Sequence, residues 1–428
     1  MIAKAKHTQK LMVFMSGASV GALAQDERGQ IWFEYDASWV KSGAPLSPMP
    51  SFALRLGAFK AANNTFDGLH GVFNDALPDG WGMLLMDRAM KKTLGWDPHE
   101  ITPLDRLAYI GQRAMGALAF KPVLSGEQKI NSPSIESLAE DALLVQEGAT
   151  DDVLHALSIY GGSPGGARPK VTLAINCQDS DHVMSGFEQI PDTFDHWMVK
   201  FKSHTTDPNC MGQIELAYAK MAQLAKVDMP PSRLIQAKVR GVQEAFFAVK
   251  RFDRVKNKKL HLLSLGGMLE ASHREPCLDY AQLLKAVHFA TRNVKDVERA
   301  FRRMVFNVLA YNKDDHVKNF AFIQDGKHWR LSPAFDLTFS RGMNNQHTTA
   351  IAGQGNPSLA AIEQIALGAS VKGWQSVVQE VFSAVSQWTR IAQEEGVEKN
   401  TVNQYCAAIE TGLCYAEIAM TTKKRGAL

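Results

Sequence analysis

The densest run of chemistry-bearing side chains is Tyr311-Asn312-Lys313-Asp314-Asp315-His316-Val317-Lys318-Asn319-Phe320. Beyond a short hairpin pattern, Ala321-Phe322-Ile323, Asp325-Gly326 and Trp329-Arg330-Leu331, comes Ser332-Pro333-Ala334-Phe335-Asp336-Leu337. Phosphoryl transfer needs a carboxylate that orients the attacking hydroxyl and accepts its proton. It also needs hard oxygen ligands to hold Mg²⁺ against the phosphates. Asp314-x-x-x-x-Asn319 followed by Asp336 offers both. A run so rich in Asp, His, Lys and Asn would also suit a solvated surface loop. The second Asp, placed after the apolar pair Ala334-Phe335, favours a site.

Three further stretches fit the same chemistry, each weak by itself. Protein kinases space the groups above as H-R-D-x-x-x-x-N and D-F-G, and they also carry a glycine-rich loop and a lone strand lysine. Here Ser158-Ile159-Tyr160-Gly161-Gly162-Ser163-Pro164-Gly165-Gly166-Ala167-Arg168-Pro169-Lys170 leads into Val171–Ile175. Glycines let successive N–H groups approach an anion, although the run is neither a Walker A loop nor G-x-G-x-x-G and would serve equally as a plain loop. Lys200 stands alone among apolar residues in Trp197-Met198-Val199-Lys200-Phe201. A buried Lys needs an anionic partner, a nucleotide phosphate or Glu215, whereas on an edge strand it would face water. Phe246–Phe252 runs into the polar Asp253-Arg254, which suits either a hinge reading adenine through its backbone or an ordinary strand end.

The elements that must position these groups follow from periodicity. Met12–Leu23 reads as a first strand, joined by a turn at Asp26–Gly29 to Gln30–Tyr35. Trp81–Lys92 reads as a helix with Trp81, Leu84, Leu85 and Ala89 on one face, after the turn Leu77-Pro78-Asp79-Gly80. Strands are expected at Val171–Ile175, Trp197–Phe201 and Phe246–Phe252, with a helix at Ile214–Leu224. Val297, Phe301, Met304, Val305, Val308 and Leu309 form an amphipathic stripe directly before the Asp-rich run. Residues 1–125 form a first unit and 126–149 a linker; 150–254 form a strand-rich lobe and 255–428 a mainly helical lobe. The fold class expected is α+β, a two-lobed kinase-like arrangement with a small N-terminal α+β domain, although the order of elements alone would also suit other α+β enzymes.

Composition narrows the function classes. In 428 residues, 47 Lys+Arg balance 44 Asp+Glu for a net charge of +3, which gives no general polyanion-binding signature. No apolar run reaches the length of a membrane span. The five cysteines form no C-x-x-C pair and the 13 histidines no H-E-x-x-H, so neither a disulfide framework nor zinc catalysis is written here. Lys4, Lys6 and Lys10 before Leu11–Ala24, ending Ala22-Leu23-Ala24, imitate a secretory signal. Ser16, Gly17, Ser19 and Gly21 interrupt that stretch and favour a strand, so a cytoplasmic protein without membrane attachment is expected.

Taken together, these residues resemble the HipA family, serine/threonine-kinase toxins of bacterial toxin–antitoxin modules. The N-terminal part is similar in Gly21-Ala22-Leu23, Phe33-Glu34-Tyr35-Asp36, Trp39, Leu46-Ser47-Pro48 and Gly71–Gly80. The remainder is similar in Ser163-x-x-Gly166-Ala167-x-x-Lys170, Lys200-Phe201, Arg251–Arg254, Asp314-x-His316-x-Lys318-Asn319 and Phe335-Asp336.

The resemblance implies ATP as phosphate donor and Mg²⁺ as cofactor. It makes Asp314 the catalytic base and Asn319 and Asp336 the metal ligands. Lys200 would hold ATP phosphates beside Gly162, Ser163, Gly165, Gly166, Ala167, Arg168 and Lys170 of the glycine-rich segment. His316 and Lys318 would line the site, and the backbone of Lys250 and Phe252 would form the adenine hinge. Ser163 falls where family members carry an inactivating autophosphorylation. A phosphate there adds up to about two negative charges to a loop that holds other phosphates. The resemblance also implies a HipB-like helix-turn-helix antitoxin, contact with DNA only through it, and a protein substrate such as glutamyl-tRNA synthetase or another aminoacyl-tRNA synthetase. The same catalytic parts would serve a small-molecule or lipid-headgroup kinase, and the scaffold alone would serve a non-catalytic antitoxin-binding corepressor.

Overall fold

The computed structural model describes residues 6–124, 134–148, 157, 166, 168–203, 207–276 and 278–425, the side chains of 413–425 excepted. The N-terminal sheet is antiparallel with order β4-β3-β2-β1-β5. Its strands are β1 Lys10–Met15, β2 Ala18–Gln25, β3 Ile31–Tyr35, β4 Phe59–Lys60 and β5 Leu118–Lys121. The single strand expected over Met12–Leu23 is thus a hairpin, because Ser16 and Gly17 both turn to positive φ (51° and 82°) and reverse the chain. The turn at Asp26–Gly29 forms as read and leads to β3.

Helix Gly80–Leu94 covers the expected Trp81–Lys92, but its buried face is Trp81, Leu85, Met86, Ala89 and Met90. Leu84, assigned to that face from spacing, is 40% exposed. Trp81 and Leu85 pack into one hydrophobic core while Met86, Ala89 and Met90 pack into another, so this helix ties two cores together. Composition reads 126–149 as a linker, yet Ile135–Gln146 is helical, with Ser134 accepting the Ser137 N–H at its start. Its Ile135, Leu138, Ala139, Ala142 and Val145 fill the core beneath the second sheet, and that apolar spacing lay hidden in a polar stretch.

The second sheet has order β7-β6-β8-β10-β9, all antiparallel: β6 Lys170–Asn176, β7 Val183–Ser185, β8 Phe194–Lys200, β9 Ser232–Val239 and β10 Val242–Lys250. Helix Met211–Leu224 crosses it and turns Glu215 inward. Beyond this lobe the chain is mainly helical. Helix Val294–Leu309 buries all six residues of the predicted stripe, and each apolar side chain so buried stabilises by roughly 1.5–3 kcal/mol. It delivers the chain to Asp314. The strands Ala321–Asp325 and His328–Leu331 then pair around the Asp325–Gly326 turn and return it to Asp336. This two-lobed, kinase-like α+β arrangement places both acidic motifs at the face of the second sheet. Among the described residues no helix is long and apolar enough to cross a membrane.

The N-terminal sheet's domain is docked on the helical lobe by close backbone approach. A Cβ at Gly71 would collide with the carbonyl of Gly267, so only glycine allows that contact. Beside it Asp75 accepts from Ser264 N at 2.5 Å and Ser264 Oγ at 2.8 Å. Burial pushes the Asp75 carboxyl above its ordinary value.

Candidate active site

A cleft of about 1000 Å³ opens between the two lobes, lined by Lys170, Lys200, Glu215, Asp314, Asn319 and Asp336 among others. Lys200 ends β8 and is buried. Its Nζ lies 2.9 Å from Glu215 Oε2 and also pairs with Asp336 Oδ1. Burial alone would lower the ammonium's pKa, but the Asp336 and Glu215 carboxylates outweigh it and hold Lys200 charged. The same logic holds Asp336 ionised. Burial raises it, while Lys200, Lys170 and Arg168 pull it well below the usual carboxylate range. Asp336 sits at φ 55°, a left-handed turn that aims its carboxylate back at the sheet.

Glu215 uses its second oxygen on Arg168, 3.0 Å from Nη1, and Arg168 Nε reaches Asp207 at 3.0 Å. Helix Met211–Leu224 and the segment entering β6 are thereby locked together. Burial pulls the Lys170 ammonium down, opposed chiefly by Asp336.

The two adjacent aspartates have different environments. Asp315 is fully buried and accepts from Tyr280 OH, His347 Nδ1 and the N–H groups of Thr348 and Thr349, at 2.8, 2.8, 2.9 and 3.2 Å. Asp314 has a side chain 59% exposed into the cleft, with His316 Nε2 3.9 Å away. Partial burial raises its pKa, and the Asp336 and Asp315 charges add to that against His316. Asn319 donates from Nδ2 to the Asp314 carbonyl at 2.7 Å, which leaves Oδ1 as its acceptor. Asp315 is therefore the structural carboxylate and Asp314 the one open to a reactant.

At the strand end read as a hinge, the Lys250 and Arg251 N–H groups donate to Pro231 and His196 carbonyls, at 2.8 and 2.9 Å. The Lys250 ammonium pairs with Asp195 at 2.7 Å, and Phe252 packs on Phe335 with ring centroids 5.5 Å apart. The next residues are wholly buried. Asp253 takes Arg251 and Arg254, each at 2.7 Å, and the Gly116 N–H at 2.8 Å, while Arg254 donates to the Gly116 carbonyl at 2.9 Å. Arg251–Arg254 thus clamps the N-terminal domain to the hinge. Gly162, Ser163, Gly165 and Ala167, and with them the autophosphorylation assignment, lie outside the described residues.

Residues 162–389 match the HipA-like C-terminal domain, and residues 11–121 match the HipA N-terminal domain. The chain belongs to the HipA family. The HipA of the Shewanella oneidensis MR-1 toxin–antitoxin system, solved with HipB and its operator DNA, superposes with a TM-score of 0.69 over 95% of this chain and 96% of that one. Identity is 17%, so that likeness speaks for the fold. A candidate kinase of Haemophilus influenzae is 27% identical over 41% of this chain and 52% of its own length. A candidate kinase of Sinorhizobium fredii is 24% identical over 76% of each chain, and a second from that organism is 28% identical over 33% of this chain and 36% of its own length. The chain thus spans about half and a third of two of these relatives and three quarters of the other.

In this HipA-family chain the cleft also holds groups that sequence reasoning left out. Asp79 Oδ2 lies 3.1 Å from Lys318 Nζ and 3.8 Å from His273 Nε2, and its Oδ1 accepts the Gly166 N–H. From sequence, Asp79 reads only as part of the turn Leu77–Gly80 and of the Gly71–Gly80 stretch shared with the family. In the structure Asp79 is the N-cap of helix Gly80–Leu94, yet its side chain makes no capping bond and turns to the cleft instead.

Proposed function

We propose that this chain is an ATP- and Mg²⁺-dependent serine/threonine protein kinase acting as a HipA-like toxin. The observation that carries the reading is the triad Lys200–Glu215–Asp336 facing Asp314 and Asn319 across one cleft. A strand lysine held by a helix glutamate is the device that presents a cation to ATP phosphates. Asp314, open to the cleft and with a raised pKa, suits the base that takes the acceptor hydroxyl's proton. Asp336 and Asn319 fit a magnesium ion. Asp336 is held ionised, it faces the same cleft as Asn319, and Asn319 offers Oδ1. Bound there, the ion would neutralise phosphate charge. Adenine would lie against Met198, Met229, Phe247 and Leu262, with the Phe252 N–H as the hinge donor, since Lys250 N–H is already committed.

The acceptor we propose is a protein, an aminoacyl-tRNA synthetase such as glutamyl-tRNA synthetase, with a HipB-like antitoxin as neutralising partner and Ser163 as the inactivating autophosphorylation site. The Shewanella protein's assembly with HipB and DNA supports the antitoxin part of this reading, and the kinase names of the relatives support phosphate transfer. The test is the intact mass of wild type and Asp314→Ala before and after Mg·ATP. One added phosphate on wild type alone, mapped to Ser163, is the expected result, and protein purified already phosphorylated counts the same. No phosphate on either, and none passed to protein, metabolite or lipid from a lysate, overturns the kinase reading in favour of a corepressor scaffold. Transfer only to metabolites or lipid replaces the acceptor class.

A further inference from the structure

We propose that Asp79, contributed by the N-terminal domain, is a positioning residue of the phosphoryl-transfer site, acting through Lys318 and Gly166. This rests on the kinase reading above. The two oxygens of one carboxylate hold two different walls of the phosphate site: Oδ1 takes the Gly166 N–H at the exit of the glycine-rich segment, and Oδ2 takes Lys318 Nζ at 3.1 Å. The turn also holds Gly166 from its other side, because the Trp81 N–H donates to the Gly166 carbonyl at 3.2 Å. Both backbone groups of that glycine are thus committed to residues 79–81.

The support under this turn is rigid. Helix Gly80–Leu94 buries Trp81 and Leu85 in the core of the second sheet and Met86, Ala89 and Met90 in the large core. An anchor fixed in both cores sets the distance between Gly166 and Lys318, a spacing that neither lobe sets alone. Asp79 is mostly shielded from water. Burial disfavours its charge, yet Lys318 and the Gly166 N–H outweigh that and hold it ionised. A carboxylate that only capped its helix would face the first turn's N–H groups, and this one makes no such bond.

Reach toward the reacting groups follows from Lys318, which lines the same cleft as Asp314 and Asp336 and stands one residue from Asn319. Without Asp79 the ammonium would be free to take other rotamers, so the loss belongs to the transition state more than to ATP binding.

The experiment compares Asp79→Asn, Asp79→Ala, Lys318→Met and the double variant Asp79→Asn/Lys318→Met in full-length protein. Two readouts are used: kcat and KM for ATP in phosphate transfer, and hydrogen exchange at the Gly166 amide. Asp79→Asn should lower kcat about 10-fold or more while KM for ATP moves less than about 3-fold. The double variant should be no slower than Lys318→Met, because removing the positioner matters only while Lys318 is present. Asp79→Ala should speed Gly166 exchange about 10-fold, and Asp79→Asn, which keeps an acceptor oxygen, should not. Wild-type kcat in Asp79→Asn or in Lys318→Met, or losses that multiply in the double variant, overturns the proposal. If wild type transfers no phosphate at all, the kinase reading fails by itself. The anchoring of Gly166 then stands or falls on exchange alone, and unchanged exchange in Asp79→Ala overturns that too.

Discussion

Glu215 meets Lys200 at 2.9 Å between helix Met211–Leu224 and the end of β8, with both side chains almost wholly buried. The pair is not isolated: Asp336 sits on the other side of the ammonium and Arg168 on the other oxygen of Glu215. Four charges alternate in sign, so each is desolvated only in the presence of its opposite. Sliding the helix along the sheet would break the chain in two places, which couples helix position to the placing of Lys200.

Removing this coupling should reduce transfer more than it reduces folding. Lys200→Met deletes the cation, and Glu215→Gln leaves it with Asp336 alone. A charge-assisted hydrogen bond contributes about 1.5–3 kcal/mol, so Glu215→Gln should lower kcat/KM for ATP about 10- to 150-fold. Lys200→Met should cost at least as much. Steady-state phosphate transfer by each variant checks this, and Glu215→Gln at wild-type kcat/KM would remove the pair from the mechanism.

The neighbouring aspartates should separate chemistry from stability. Asp314→Asn should abolish transfer and leave the urea midpoint unchanged, because a half-exposed carboxylate with a raised pKa gives folding little. Asp315→Asn loses charge where four donors converge and should destabilise by about 1–3 kcal/mol. The acidic limb of the rate profile should also lie above about pH 4, the ordinary Asp value, since the base must be ionised and its pKa is raised. Activity that persists in Asp314→Asn and vanishes in Asp315→Asn with the fold intact would exchange their roles.

The Asp314-x-x-x-x-Asn319…Asp336 spacing was legible because local chain length dictates it: a loop, a hairpin and a return. Lys200 was legible as a charge misplaced in an apolar strand. The partner choice was not, because Glu215 and a phosphate satisfy the same rule until the helix is placed. Asp314 and Asp315 differ by tertiary donors from Tyr280 and residues 347–349, which adjacency cannot display. Asp79 was missed for a related reason. Its type and place suit an N-cap, so nothing local hints that Lys318, 239 positions away, claims the side chain. Helix Ile135–Gln146 escaped because its neighbours Asn131, Pro133 and Ser134 carry strong breaker signals.

Mild acid should weaken the fold through its buried histidines, against a smaller opposite contribution from Asp141, whose carboxyl burial raises to about 6. His70, His196 and His261 are buried, and burial lowers each to about 4. Their unfolded value is about 6.5, so between those limits the unfolded chain binds more protons and stability falls as pH falls. Each group contributes its full share above about pH 6.5 and loses on the order of 1–2 kcal/mol by about pH 5. Urea unfolding at about pH 7 and about pH 5 should show the summed loss. His261→Gln, which can still donate to the Leu46 carbonyl, should reduce it by one group's share. An unchanged pH slope in that variant would show that His261 is not one of the groups.

The Arg251–Asp253–Arg254 cluster supplies the sharpest stability contrast. Burial raises Asp253, but the two guanidiniums outweigh that and hold it well below the usual carboxylate range. Its contribution is therefore present above about pH 4 and lost only as pH falls further. Asp253→Ala leaves two buried cations and the Gly116 N–H without their acceptor, and should cost about 3–5 kcal/mol. Replacing all three by apolar residues of similar size (Arg251→Met, Asp253→Leu, Arg254→Met) removes the stranded charges as well as the clamp. That triple variant should unfold at a higher urea concentration than Asp253→Ala, although it changes more atoms, because an uncompensated buried charge costs more than the lost clamp. It should still exchange the Gly116 amide faster than wild type, since the Asp253 acceptor of that N–H is gone. If the triple variant proves the less stable of the two, side-chain packing rather than charge compensation holds this junction together.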